Sequence, residues 1–133
     1  MTETQDTTLR AVVRSRIPAP HGRPDHRDEI AEVAGVIAAC FQPERIVLFG
    51  APATQRAHAD SDADLMVILD GPVRPLDRAV AINRAIPHRI PLDVLVRTTE
   101  QIATGLAEND FFITDVMTEG ITLFEASDAG LNR

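Results

Sequence analysis

The stretch best equipped for chemistry is HADSDADLMVIL, residues 58–69. Asp60, Asp62 and Asp64 take alternate positions, and the apolar run Leu65-Met66-Val67-Ile68-Leu69 follows at once. Side chains alternate across a β-strand, so Asp62 and Asp64 point the same way, ~6.6 Å apart at ~3.3 Å per residue. Two divalent cations in a phosphoryl-transfer site lie ~3.5–4 Å apart, and magnesium takes oxygen ligands at ~2.1 Å. Two such carboxylates can hold a cation pair between them. A third on a neighbouring strand, ~4.8 Å across, would complete the cage. Asp93 is the only acid inside the strand-like stretch RIPLDVLVRT. Without a cation these acids repel one another and resist ionising together. The spacing alone is a weak signal, since acids in a solvated loop can share it.

Positioning these residues requires strands at both places. RIVLFG reads as a buried strand stopped at Gly50. Residues 51–59 read as a short helix with Pro52 in its first turn, whose free N–H groups after Gly50 could receive an anion. ADLMVIL is the second strand, and Asp70-Gly71-Pro72 is a turn. A helix over 75–86 is expected to carry Leu76, Val80 and Asn83 or Ile86 along one side. RIPLDVLVRT is the third strand, with Ile90, Leu92, Val94 and Val96 on one face and Pro91, Asp93 and Leu95 on the other. Thr98 with Gln101 forms a capping box for a helix of about 99–108. A further helix over 110–119 presents Phe112, Ile113, Val116 and Met117, capped by Gly120, and ITLF is a last short strand.

Upstream, Ile30, Val33, Ala34, Ile37 and Phe41 form one apolar stripe on a helix from Arg27 to Phe41. Cys40 lies beside that stripe and reads as a small core residue. The fold class is therefore α+β: one small domain over residues 27–126, a mixed sheet of about 3–4 strands flanked by helices. Residues 1–26, interrupted by Pro18, Pro20 and Pro24, read as a flexible arm in which TTLRAVVRSRI could form a short helix or order on a partner, and 127–133 as a frayed tail.

Composition narrows the chemistry. All 13 basic residues are arginine, and there is no Lys, Tyr or Trp. That excludes a P-loop lysine, a Schiff-base lysine and a tyrosine nucleophile. Cys40 is the only cysteine, so no intrachain disulfide is possible, and a structural zinc site is not expected. Carboxylates are left to carry the chemistry. The net charge is −7. Residues 1–27 hold Arg10, Arg14, Arg16, Arg23 and Arg27 against Glu3, Asp6 and Asp25. The rest is strongly acidic, which disfavours non-specific nucleic-acid binding and suits divalent cations or a basic protein partner. No apolar run suits a membrane span, and the polar, acidic N-terminus lacks the layout of a secretory signal. The expected location is cytoplasmic. Exposed sheet edges leave a homo-oligomer open.

LFGAPATQRAHADSDADLMVIL resembles the signature of the minimal nucleotidyltransferases of the DNA polymerase β superfamily. That pattern is Gly-Ser, ten residues, then Asp-x-Asp, closing one strand and opening the next. Here Gly50 and Ala51 precede residues 52–61, and Asp62-Ala63-Asp64 follows. PLDVLV resembles the strand with the family's third carboxylate, which maps to Asp93, and VMTEGITLFE resembles the family's ending. The resemblance covers residues 27–126. It implies that Asp62, Asp64 and Asp93 bind two magnesium (or manganese) ions. It implies that Asp93 helps activate an acceptor hydroxyl. It also implies that the Gly50–Ala51 segment, with Ser61 nearby, holds the triphosphate of ATP or another nucleoside triphosphate. A nucleoside monophosphate would be transferred and pyrophosphate would leave. Small members of this family commonly pair, as antitoxins, with a helical partner of the HEPN type, and some transfer AMP to a tyrosine on it.

The match departs at the phosphate cradle. The family serine is Ala51, and Pro52 has no N–H to give. The family's usual Arg and Gly are Thr54 and Gln55. A lost hydrogen bond to a charged phosphate is worth ~1.5–3 kcal/mol. Arg56 or His58 could replace a lost donor, or be solvated helix residues. Two readings follow: a metal-dependent nucleotidyltransferase with a weakened triphosphate grip, or a catalytically impaired relative that acts as a binding antitoxin or regulatory module.

Overall fold

The computed structural model describes residues 2–19, 25–50, 63–86 and 92–128. Among these it has five helices and four strands. They are α1 (Thr2–Arg16), α2 (Arg27–Phe41), β1 (Arg45–Gly50), β2 (Ala63–Ile68), α3 (Pro75–Ala85), β3 (Leu92–Arg97), α4 (Thr99–Ala107), α5 (Phe111–Glu119) and β4 (Ile121–Glu125). The expected helix over 51–59 lies outside the described residues.

The strands form one mixed sheet in the order β3-β2-β1-β4. β1 is antiparallel to both neighbours, and β2 is parallel to β3. A parallel pair cannot be joined by a tight turn, so the chain crosses over through α3. Alternation divides the apolar side chains between two cores. Ile46, Leu48, Leu65, Val67, Val94 and Val96 share a core with residues of α1, α2 and α3. Val47, Met66 and Ile68 pack with Ile102 of α4 and Ile113 and Val116 of α5. Both faces of β2 are covered, which is why its sequence is an unbroken apolar run.

Three expectations are corrected. The segment read as an arm, with a short helix as one option, holds the longer helix α1, which packs on α2 and β4. Leu9, Val13 and Ile17 recur every fourth residue and are buried. Arginines between them disguise the stripe as a polar tail. Arg16 Nη1 donates to Leu123 O at 2.9 Å and to Asp128 Oδ2 at 2.8 Å, and Nη2 donates to Asp128 Oδ1 at 3.1 Å. Asp128 also accepts from Glu125 N at 2.8 Å, so the turn through 126–128 is pinned where a frayed tail was expected. The fork of two donors on one carboxylate holds Asp128 below, and Arg16 above, the ordinary range.

The second correction is α3. Ile82 and Ile86 enter the core with Ala79 beside them, while Leu76 and Val80 face solvent. Adjacent apolar stripes run along this helix, and the pattern alone cannot choose between them. Asn83 turns back on its own helix, Nδ2 donating to Ala79 O at 2.8 Å. The third is Cys40, which is exposed near the end of α2. That helix closes on Gln42, left-handed at φ 51°, whose N–H reaches Ala38 O.

The capping box forms as expected. Gln101 N donates to Thr98 Oγ1 at 3.1 Å, and Thr98 N donates to Gln101 Oε1 at 2.9 Å. Asp110 caps α5, accepting from Ile113 N at 3.0 Å. Gly120 ends α5 without a left-handed turn, at φ −73°. Space dictates the glycine: a Cβ there would lie 2.3 Å from Val116 O and 2.5 Å from Val47 Cγ1.

Candidate active site

Three of the residues singled out in the sequence come together at one end of the sheet. β1 runs to Gly50, which has φ 83° and pairs with Ala63, the first residue of β2. The left-handed conformation suits a residue without a side chain. One step along β2, Asp64 pairs with Phe49 on one side and with Asp93 of β3 on the other. Residues in register on adjacent strands point to the same face, so Asp64 and Asp93 stand side by side, ~4.8 Å apart at the backbone. Asp64 is half-buried and Asp93 is exposed.

That face is the one covered by α4 and α5, since Met66, Ile68 and Leu95 lie along it and pack with Ile102 and Ile113. The cover stops short of the acids. Phe112, in the first turn of α5, meets the ring of Phe49 edge-on, with centroids 5.7 Å apart and planes at 77°. Phe49 shares the rung of Asp64, so the aromatic pair flanks the carboxylates. Phe49 is the site neighbour that sequence reading missed. It looked like one more apolar strand residue, and its place beside Asp64 is fixed only by the antiparallel register.

Two carboxylates in adjacent register suit a hard divalent cation, which takes oxygen ligands and offsets their mutual repulsion. Among the described residues no group of three or more His, Cys, Asp or Glu is close enough to hold a metal. Asp62, the other expected ligand, lies outside the described residues, as do Ala51 and Ser61, expected at the triphosphate, and Arg56, His58 and Asp60.

The acids further along the chain serve the scaffold. Asp70 Oδ1 accepts from Thr99 N at 2.8 Å, and Oδ2 accepts from Thr99 Oγ1 at 2.6 Å. The Thr99 hydroxyl and then its N–H hold this carboxyl below its ordinary range. The contact ties the end of β2 to the start of α4. A cleft of about 510 Å³ lies at the opposite end of the same face, lined by Ile68, Ile102, Leu106 and Met117 among others. Ile68 is four residues from Asp64, ~13 Å along the strand, so this cleft is separate from the acid pair.

A solved structure of a candidate nucleotidyltransferase from Sulfolobus solfataricus is similar to this chain, with a TM-score of 0.50 and 16 % sequence identity. The alignment covers 93 % of this chain and 86 % of that one. The protein thus has a nucleotidyltransferase-like α+β fold, as the Gly50 to Asp64 signature led us to expect. No protein-family model matches the chain, and no curated protein does. Among the described residues no helix is long and apolar enough to cross a membrane.

Proposed function

We propose that this protein is a metal-dependent nucleotidyltransferase that moves a nucleoside monophosphate, AMP from ATP, onto a hydroxyl group. The observation that supports this most is the register of Asp64 with Asp93 on a nucleotidyltransferase-like fold. With Asp62 they would hold two magnesium or manganese ions, which when bound neutralise the charge of the triphosphate. Asp93 is exposed, and its carboxylate can accept the proton of an incoming hydroxyl. The hydroxyl oxygen forms a bond to the α-phosphorus, and the bond from that phosphorus to the bridging oxygen of pyrophosphate breaks. Gly50, left-handed at the end of β1, would let the backbone approach a triphosphate, which by the family resemblance Ala51 and Ser61 would also hold. By its resemblance to the minimal nucleotidyltransferases, the acceptor is a tyrosine of a helical HEPN-type partner, and the protein is an antitoxin of the cytoplasm.

One feature favours a second reading. Ala51 and Pro52 stand where the family has hydrogen-bond donors to phosphate. A member that has lost its triphosphate grip would act by binding and masking its partner. One experiment separates the two. The protein is mixed with its partner, ATP and Mg²⁺, and the partner is weighed by mass spectrometry. Transfer adds one or more nucleoside monophosphates, and Asp62→Ala/Asp64→Ala abolishes the gain. A tight complex with no added mass overturns the transferase reading in favour of the binding module.

A further inference from the structure

Two exposed apolar patches lie on opposite faces of the sheet. The first follows α3: Val73, Leu76 and Val80 line its outer side, and Leu76 is 71 % exposed. The second is the turn between α4 and α5, with Leu106, Phe111 and Phe112, and Phe111 is 87 % exposed. The inner side of α3 packs with the α1 and α2 core, whereas α4 and α5 pack on the other face. Neither patch can therefore cover the other within one chain. Large apolar side chains grouped on a surface and rimmed by charge mark interaction sites.

The rims carry opposite charge. Residues 71–86 hold Arg74, Arg78 and Arg84 against Asp77, which pairs with Arg74 at 3.0 Å and leaves Arg78 and Arg84 as the excess charge. This is a basic strip on a protein of net charge −7. Beside the α4–α5 turn, Glu100, Glu108 and Asp110 line one pocket with Arg97 as its sole arginine, and Asp115 and Glu119 follow on α5. A contact of like with like would set arginine against arginine, or carboxylate against carboxylate, in both possible two-fold dimers. A contact of unlike patches buries the apolar residues of both and pairs their rims.

We infer that this face pair is a head-to-tail interface: the α3 strip of one copy of the chain docks on the α4–α5 turn of a second copy. The inference is independent of the nucleotidyltransferase reading. Such a contact leaves one unused patch of each kind on a dimer, so association continues into a ring or a chain of copies.

Sedimentation velocity on the full chain tests this. The wild type is expected to form species heavier than one chain as concentration rises. They should weaken as salt shortens the Debye length from ~10 Å at ~0.1 M to ~3 Å at ~1 M. Leu76→Ser and Phe111→Ser change exposed residues, so each should stay folded by circular dichroism and be monomeric alone. An equimolar mixture keeps one intact patch of each kind, and should give a two-chain species and nothing heavier. Glu108→Arg, tested separately, should weaken wild-type association without loss of fold. A wild type that stays monomeric at every concentration overturns the inference. So does a mixture that stays monomeric, or assembly lost in only one of the two serine variants, which would indicate a two-fold contact through one patch.

Discussion

Replacing Asp93 with asparagine isolates what the acid pair costs the fold and what it gains with a cation. The side chain keeps its shape and loses its charge. Asp64 and Asp93 are in register on adjacent strands. Two unit charges ~5 Å apart repel by ~3 kcal/mol at an effective dielectric of ~20, and by ~0.8 kcal/mol in bulk water. Asp93 is exposed and Asp64 half-buried, so the value lies toward the lower end, ~1 kcal/mol. Asp93→Asn should therefore stabilise the metal-free protein by about that amount, a rise of ~3–5 °C in Tm for a chain of this size. Magnesium should reverse the order. A ligand at ~10 times its Kd adds ~1.4 kcal/mol to a protein that binds it, and nothing to one that does not. Urea and thermal unfolding of both proteins, with MgCl₂ and with NaCl at matched ionic strength, read both effects. If the variant is less stable than wild type without metal, or if magnesium raises both equally, the acid pair is not a cation site.

Asp128→Asn removes the charge that Arg16 and Glu125 N bind, and should cost ~2 kcal/mol at pH 7, because Asp128 is only 12 % exposed. Its carboxyl titrates lower folded than unfolded, so the stabilisation is full above the unfolded pKa of ~3.9 and is lost as pH falls through the folded value. Urea titrations of wild type and variant should therefore begin to narrow below about pH 4 and converge only below the folded value; a constant gap would mean that charge is not the cause. Gly120→Ala drives a methyl into Val116 O and Val47. It should destabilise by ~1–3 kcal/mol or more, and unfolding midpoints within ~0.3 kcal/mol of wild type would contradict the close approach.

Local signals in the sequence were enough for the elements around the site. The apolar run after Asp64, the stop at Gly50 and the capping box at Thr98 are contained within a few residues each, and the elements they announce are present. The adjacency of Asp64 and Asp93 was legible for the same reason, since each is the polar exception near the start of a strand. What was not legible depends on partners far along the chain. Arg16 and Asp128 are 112 residues apart, and no pattern in either neighbourhood names the other. The side of α3 that enters the core is decided by how the crossover lies on β3, so Leu76 and Ile82 look equally suited to burial. The register that sets Phe49 beside Asp64 is likewise a property of the pairing.

The parallel register of β2 and β3 also makes the position of the acid pair a matter of parity. Asp93 and Arg97 share one face of β3 with Leu95, while Val94 and Val96 fill the core on the other. Deleting or inserting one residue within the strand would exchange the two sets. The carboxylate and the guanidinium would then turn into the core beneath α2 and α3, at a cost of several kcal/mol per unpaired charge, and two valines would turn out. A frameshifted strand that misplaced Asp93 would therefore fail to fold before it could misplace a ligand. The geometry of the acids is inherited from the core, and selection for a folded protein guards it even where no selection acts on the site itself.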